Sequence, residues 1–580
     1  MTYATEPVLA VDPRQLPAFD VRHIPFSARG AWLDLSPVVA LHTTSDTVHL
    51  VSHRNGMHAV LALVPERDAM ALEGSWQAAP EILRWTGDAF ILEAAFAGRR
   101  VVRLRGNGAG MRLVDAANGL TSFTGNFLFL DPMDGAAVFT SYETGRRYRV
   151  RSLRGSIELV GDGALGATTR SVLLGGDGDA WEATVEESTS SAAFLDDART
   201  FDDVVADSRS AFTEYLDAIA PWRDETTPAA ALAAYVLWSA TVEPEGFVTR
   251  ESILMSKHWM DKVWSWDHCF NALALAPGLP GEALDQFLAP FDHQDPQGAL
   301  PDSITHSEVL YNFVKPPIHG WALRRLRQTR ATELTRDELE LVYDRLARWS
   351  MFWLDHRRSA GHALPHYQHG NDSGWDNSTT FDRDRVVESP DLAAFLLIQL
   401  EVLADLAAEL GRDGQSWDDQ QRHLTDALLR DLWTGTEFVA VGALTGRTST
   451  ASSLLNLLPL VLGDRLPEEV REALVGRVTA HLTEHGPATE PVASQHYDPD
   501  GYWRGPIWAP STALIEDGLR TSGHPDLADS VSERFRTLCE RSGFAENFDA
   551  LTGEGLRDRA YTWTAAVYLT LAADHVARTS

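Results

Sequence analysis

Cysteine is nearly absent from this chain. Two, Cys269 and Cys539, among 580 residues make no disulfide framework, and a reducing cytoplasmic setting is the expectation. Long apolar runs are missing as well. The longest candidate, Leu454 to Leu462, falls short of spanning length and carries Asn456 and Pro459. The stretch Met1 to Asp20 has no apolar core flanked by basic residues, so no signal peptide is expected. Positive charge is scarce: 50 Lys and Arg stand against 82 Asp and Glu, a net charge of −32. That balance argues against a nucleic-acid backbone or an anionic membrane surface as partner.

What is present is the composition of a globular protein, 44% hydrophobic and 23% charged, in a chain too long for one ordinary core. Tryptophan is plentiful and uneven. Of 18, 14 lie between Trp222 and Trp563. Trp349 and Trp353 fall on a helical stripe and are expected in the core. Trp259, Trp264, Trp266, Trp375, Trp503 and Trp508 sit near glycine or proline in loops, which favours a ligand with flat apolar faces.

Residues 1–200 read as an antiparallel β-sandwich. Phe90–Phe96 and Arg100–Arg105 flank a glycine turn as a hairpin. Arg147 to Arg151 alternates with period two and puts its arginines on one face. Asn55-Gly56, Asn107-Gly108 and Asn118-Gly119 are further turn signals, and Ser171–Leu174 and Ala180–Val185 are expected final strands. Between about Asp196 and Ala220, Phe201, Val204, Phe212, Leu216 and Ile219 recur at helical spacing. This predicts a linker helix over 201–224.

From residue 225 to 580 nearly every segment predicts a helix. Thr227 is a plausible cap for a helix over 228–240, with Pro228 at its first position. Helices are also expected over 267–276, 282–291, 317–327, 337–355, 390–410, 417–432, 452–462, 467–482, 507–519, 525–539 and 561–573. Twelve helices split by polar loops fit six hairpins closed in a ring, an (α/α)6 toroid with a funnel at one end.

Four stretches interrupt the helical pattern. The most unusual is Gly370-Asn371-Asp372-Ser373-Gly374-Trp375-Asp376-Asn377-Ser378, which has no aliphatic side chain and reads as a loop. It sets an indole beside carboxylates, the pairing a sugar site needs: a platform for the pyranose C–H face and an acid for the glycosidic oxygen. Trp264-Ser265-Trp266-Asp267-His268 lies at a helix start, where Asp267 is either a cap or an acceptor for sugar hydroxyls. Gln294 to Asp302 and Lys315 to Trp321 are proline-rich loops from which Gln294, Lys315 and His319 are candidate ligand contacts. The last stretch is Tyr502-Trp503-Arg504-Gly505-Pro506-Ile507-Trp508, followed two helices later by Glu546-Asn547-Phe548-Asp549. Arg504 offers a forked donor, for hydroxyls or for a neighbouring carboxylate. Spacing alone does not raise Glu546 above the other acidic residues.

Taken in order, Trp266-Asp267, Ser373 to Ser378, Tyr502 to Trp508 and Glu546 to Asp549 resemble glycoside hydrolase family 63 and its relatives, the family 37 trehalases, over about residues 225–576. The resemblance implies an inverting α-glycosidase of α-glucosidase type acting on a small α-glucoside or short oligosaccharide. Asp376 would be the general acid and Glu546 the general base. Burial near Trp375, or a neighbouring carboxylate such as Asp372, is expected to raise the acid's pKa. Trp266, Asp267, Gln294, His319, Asp372, Trp375, Asn377, Trp503, Arg504, Trp508 and Trp563 are the expected substrate contacts. Two positions depart from trehalases, Asp372 for glutamate and Asn377 for phenylalanine, and the second leans toward family 63. Relatives act on α-glucosides or α-mannosides, glycosylated glycerate included, and Lys315 or Arg504 are candidates for holding such a carboxylate. The expected partner is a small carbohydrate, with no cofactor. His362, His366, His369 and Asp372 suggest a metal only weakly, because Pro365 breaks any helix that would align them. Other readings are another enzyme on the same toroid (an α-mannosidase on glycosyl-glycerate, a trehalase, a rhamnosidase or a sugar epimerase) and a non-catalytic sugar-binding protein.

Overall fold

The computed structural model of the protein describes residues 16–117, 126–162, 169–175, 180–190 and 197–580. The expected turn Asn118-Gly119, most of the Met1–Asp20 stretch and Asp196 lie outside the described residues.

Two antiparallel sheets make up the first part. One runs, in spatial order, Asn126–Leu130, Ala137–Ser141, Arg147–Arg154, Trp181–Ser188, Val101–Asn107, Phe90–Gly98, Ile82–Gly87 and Ser75–Ala79. The other runs Leu33–Ala40, Thr43–Ser52, His58–Arg67, Gly110–Asp115, Ser171–Leu174 and Ile157–Val160, with Met70–Ala71 folded back on His58–Arg67. Alternation along each strand turns apolar side chains inward, and Leu33, Leu50, Leu61, Leu104, Val150 and Val172 share one core. The Phe90 hairpin forms as expected, with a register shift at its glycine turn. Arg149, on the arginine face, pairs with Asp131 at 3.0 Å and Asp134 at 2.7 Å.

The linker is helix α1 (Phe201–Ile219), started by a reciprocal capping box between Thr200 and Asp203. It lies on strand Phe90–Gly98. Eleven α-helices follow: α2 (Ala230–Ala240), α3 (His268–Leu275), α4 (Pro280–Leu288), α5 (His319–Thr329), α6 (Arg336–Met351), α7 (Pro390–Leu410), α8 (Gln415–Ala427), α9 (Glu468–His481), α10 (Ala509–Thr521), α11 (Pro525–Ser542) and α12 (Thr562–Thr579). A 3-10 segment, Leu454–Arg465, occupies the remaining helical place. The inner ring is α3, α5, α7, the 3-10 segment, α10 and α12, each packed on the next, with α12 returning to α3. Outside it lie α2 on α12, α4 on α3, α6 and α8 on α7, α9 on the 3-10 segment, and α11 on α10 and α12. The ring is therefore closed, as the hairpin count suggested.

Local chemistry explains where elements differ from expectation. The segment 452–462 is not a regular α-helix: Pro459 has no N–H for the ladder, and the chain bends at Gly463, whose φ is +56°. Thr227 does not cap α2. Its hydroxyl accepts from the Asp224 amide at 3.0 Å, closing the preceding turn, and the helix starts at Ala230. The expected helix 282–291 divides into α4 and a 3-10 turn, Ala289–His293. Helix α7 ends as its sequence requires, at Gly411 with φ +71°. Among the described residues, no helix is long and apolar enough to cross a membrane.

Sandwich and toroid share one apolar core, with Phe19 stacked on Tyr235 of α2 at 4.4 Å. The junction also buries charge. His53 of the sandwich lies 2.7 Å from Asp34 and 3.1 Å from Asp261 of the toroid. Burial opposes a charged imidazole, but the two carboxylates outweigh it and push the His53 pKa up to about 9. A raised folded-state pKa stabilises fully below the unfolded value of 6.5 and is lost as pH rises through about 9. The contribution is of order 3 kcal/mol. The melting temperature of the wild type should therefore exceed that of His53→Ala clearly at pH 6, and the gap should narrow as pH is raised to 10. A gap independent of pH would show that His53 packs there uncharged.

Candidate active site

The four interrupting stretches meet at one end of the ring. Loop 370–378 opens as a 3-10 turn, Gly370–Ser373, rather than as plain loop, and Gly374 leaves it at φ +72°. A Cβ on Gly374 would stand 2.5 Å from the Trp266 ring, so glycine lets this loop close on the Trp266-Asp267 segment. Asn377 ties the same loop to the second stretch. Its Oδ1 accepts from Trp503 N at 3.0 Å, its Nδ2 donates to Gly501 O at 2.9 Å, and its own carbonyl accepts from Arg504 Nε at 2.6 Å. Between these contacts Tyr502 is held at φ +63°, a strained conformation for a tyrosine. Ile507 and Phe548 exchange backbone hydrogen bonds at 2.8 and 3.0 Å, which brings Glu546 alongside.

Five indoles back this arrangement. Trp375 lies 4.6 Å from Trp503, Trp503 stacks on Trp508 at 4.0 Å, and Trp563 meets Trp508 and Trp266 edge-on at 5.6 and 5.5 Å. All five are at most 3% exposed. They form the packed wall behind the carboxylates rather than an open platform. Trp259 and Trp264 are the half-exposed indoles here. Trp349 and Trp353 are core, as expected.

Glu546 is buried, its amide bonded to Asp558 O at 2.8 Å. Burial, reinforced by the Asp558 carboxylate, pushes its pKa up to about 8, while Arg557 and a hydrogen bond from Tyr502 act the other way. Asp558 is itself fixed by Ser256 Oγ at 2.6 Å and His258 Nδ1 at 2.9 Å. Asp376 is held above the usual carboxylate range by burial. Lys315 opposes this and Asp302 adds to it. Asp267 occupies the cap position of α3 but makes no cap bond, and one of its oxygens is buried without a partner. Burial raises its pKa to about 8, so at neutral pH it is largely protonated and able to donate a hydrogen bond. Tyr502 lies within electrostatic reach of Glu546, Asp376 and Asp267 together.

Other expected contacts have different work. Asp372 accepts from Val314 N at 3.1 Å, Gln368 N at 2.8 Å and Arg357 Nη1 at 2.7 Å, so it anchors the loop from beneath. The like charge that acts on Asp376 is Asp302, not Asp372. His319 is sealed against Phe287, Phe291 and Trp349, with burial lowering its pKa to about 4. Its Nε2 meets Ser265 O at 3.0 Å, steadying the residues before Asp267. Gln294 donates to Gly298 O and Arg345 O and staples its own loop. Arg504 joins Asn377 O and forms an ion pair with Asp382. The loop histidines take separate partners: His362 meets Glu388, and His369 accepts from Asn371 N and stacks on Phe313.

Sequence reasoning passed over Tyr502, Asp302 and Asp558 as site residues. It also passed over a signal that needs only counting. The chain has three lysines: Lys257 and Lys262 precede the Trp266-Asp267 segment in sequence, and Lys315 donates to Asn371 O of loop 370–378.

Comparison with known proteins agrees with this build. The mannosylglycerate hydrolase MGH1-like glycoside hydrolase domain matches residues 260–564. A mannosylglycerate hydrolase of Rubrobacter radiotolerans is 26% identical over 403 residues, 53% of this chain and 89% of that protein. A glucosylglycerate hydrolase of Mycolicibacterium hassiacum is 23% identical over 448 residues, 59% of this chain and 97% of that protein. Among solved structures, a family 63 mannosylglycerate hydrolase of Thermus thermophilus in complex with glucose superposes with a TM-score of 0.53 at 20% identity, covering 59% of this chain and 98% of that one. A bacterial glucoamylase complexed with acarbose gives a TM-score of 0.61 at 11% identity over 99% of this chain and 96% of that one, so its likeness in fold takes in the sandwich as well. Fold and family together define a helical-toroid glycoside hydrolase. More narrowly, the chain belongs to glycoside hydrolase family 63, in the group typified by the mannosylglycerate hydrolase MGH1-like domain.

The anchoring of loop 370–378 is open to test. Asp372→Ala would leave Arg357 and two backbone amides without their acceptor in a buried setting. Chemical denaturation should show a loss of about 3 kcal/mol. A loss below about 0.5 kcal/mol would mean that the loop holds without this carboxylate.

Proposed function

We propose that the protein is an inverting α-glycosidase that releases a hexose from a small α-hexoside, with Asp376 as general acid and Glu546 as general base. The supporting observation is the convergence on Tyr502: one tyrosine feels the buried carboxyls of Asp376, Glu546 and Asp267, which come from three distant stretches of the chain. In this reading Asp376 passes its proton to the glycosidic oxygen as the C1–O bond breaks. Water attacks C1 from the opposite face, and Glu546 takes the proton that the water loses. Carboxyls in this role stand roughly 6.5–9.5 Å apart, leaving room for the water. Asp267, protonated, donates to a sugar hydroxyl. Glucosyl- and mannosyl-glycerate are the first substrates to assay, because two relatives carry those names.

Asp376→Asn and Glu546→Gln should each fold normally and lower kcat/KM by about 10³-fold or more. Proton NMR of the first product formed should show the β-anomer. Normal turnover in either variant, or release of the α-anomer, would sink the assignment.

The ionisations give a second test. The productive form holds one proton on Asp376 and none on Glu546, and two such groups titrate as a unit. With Glu546 near 8 and Asp376 raised, kcat/KM should rise with pH on a limb above the ordinary aspartate value of 3.8 and fall on a limb near 8. Tyr502→Phe removes a hydrogen bond that lowers the Glu546 pKa. It should move the alkaline limb to higher pH and lower the plateau, since fewer molecules then carry the proton on Asp376. An unchanged profile would exclude Tyr502 from the base.

A further inference from the structure

Loop 256–261 joins the two domains by alternating its side chains between them. Its odd-numbered residues meet the sandwich. The Lys257 ammonium donates to Ser27 Oγ at 2.8 Å and Ala31 O at 2.5 Å, the Trp259 ring lies 4.8 Å from the His42 ring, and Asp261 faces His53 at 3.1 Å. Two even-numbered residues meet the toroid instead. Ser256 Oγ donates to Asp558 Oδ2 at 2.6 Å, and His258 Nδ1 lies 2.9 Å from Asp558 Oδ1. The loop is closed on itself by Ser256 N bonded to Met260 O at 3.1 Å and Met255 N to Lys262 O at 2.9 Å. Thr562 N, at the start of α12, pins Met255 O at 2.9 Å.

Asp558 carries this contact on to the candidate base. Its carbonyl accepts from the Glu546 amide, and the pairing continues on either side of that bond: Tyr561 N donates to Phe544 O at 2.8 Å, and Asn547–Phe548 pairs with Gly555–Leu556. The backbone of Glu546 therefore rests on the backbone of Asp558. Burial opposes charge on the Asp558 side chain, but the His258 ring, the Ser256 hydroxyl and the Ala560 amide outweigh it and hold its pKa below the ordinary value of 3.8. The result is a fixed negative charge beside Glu546. His258 Nε2 is buried with no hydrogen-bond partner, so the polar commitment of this ring is to Asp558. The titratable and charged groups facing Glu546 are Asp558, Arg557, Tyr502 and Tyr561. Those facing Asp558 are Glu546, His258, Arg559 and Tyr561.

We propose that loop 256–261 is the positioning element through which the sandwich governs the base: the sandwich holds Lys257, Trp259 and Asp261, Ser256 and His258 are thereby set to clamp Asp558, and Asp558 fixes where Glu546 stands and the charge it faces. The proposal rests on the glycosidase reading above for its effect on turnover. Ser256, His258 and Asp558 act through Glu546 and are positioning residues. Lys257 is the bolt, because its ammonium is buried and its partners, Ser27 and Ala31, both belong to the sandwich.

Titration of Glu546 itself decides it. Glutamate labelled with carbon-13 at the side-chain carboxyl is followed by NMR, the Glu546 signal being the one lost in Glu546→Gln, with thermal melts as the check on folding. Asp558→Asn removes a like charge, so the Glu546 midpoint should fall by about one pH unit. In His258→Leu the buried Asp558 carboxyl loses its ring partner and competes with Glu546 for the proton, so the midpoint should fall again. Lys257→Met tests the sandwich. Losing a cation cannot lower a carboxyl's midpoint, so a fall there reports release of the loop and not charge. If Lys257→Met does not fold, Ser27→Ala, which removes one acceptor of that ammonium and no charge, is read for the same fall. A midpoint unmoved or raised in the folded Lys257 or Ser27 variant overturns the sandwich's part, and one unmoved in Asp558→Asn or His258→Leu overturns the clamp. With α-glucosyl-glycerate as substrate, kcat should drop about tenfold or more in Lys257→Met with KM little changed, and the alkaline limb of kcat/KM should move to lower pH. Wild type that does not cleave this glycoside counts against the glycosidase reading, and the carboxyl titration still decides the loop.

Discussion

Everything at the mouth of the toroid depends on one amide side chain. Asn377 joins the acid-bearing loop to the turn 501–504 through both ends of its carboxamide, and Arg504 closes the same joint from the other side. These segments are more than 120 residues apart along the chain, as the span from 377 to 503 shows. Hydrogen bonds of this sort each contribute only about 1 kcal/mol net. Their effect here is geometric: they fix where Tyr502 projects, and Tyr502 in turn lies within electrostatic reach of Glu546, Asp376 and Asp267.

The second constraint is dryness. Asp267, Asp376 and Glu546 sit against a wall of nearly inaccessible indoles, and burial is the largest cause of each raised pKa. The wall leaves its rings almost no exposed surface. Its service is to withhold water from the carboxyls, which disfavours their charged forms and raises each pKa.

Much of this was legible beforehand, and the exceptions share a cause. Helical periodicity located α7 to the residue, because Pro390 and Gly411 punctuate it. It misjudged 454–465, where Pro459 breaks the ladder inside a uniformly apolar run that gives no periodic cue. Motif order singled out Asp376 and Glu546 as candidates, but motif membership says nothing about which way a side chain turns. Asp372, just before the acid's motif, and His319, in the Lys315–Trp321 stretch, face the core, where one satisfies backbone amides and the other fills a slot among aromatic rings. Asp302 and Asp558 act on the candidate catalytic carboxyls from loops with no distinctive spacing, so only proximity in space reveals them.

The near-absence of lysine has a practical corollary. Two of the three ammonium groups are locked inside the protein, so acylating reagents and activated resins find few side-chain amines to attack. The third, on Lys262, is only half-buried and lies 5.8 Å from the Trp264 ring centroid. Coupling through it would mount the molecule on a support in a single orientation.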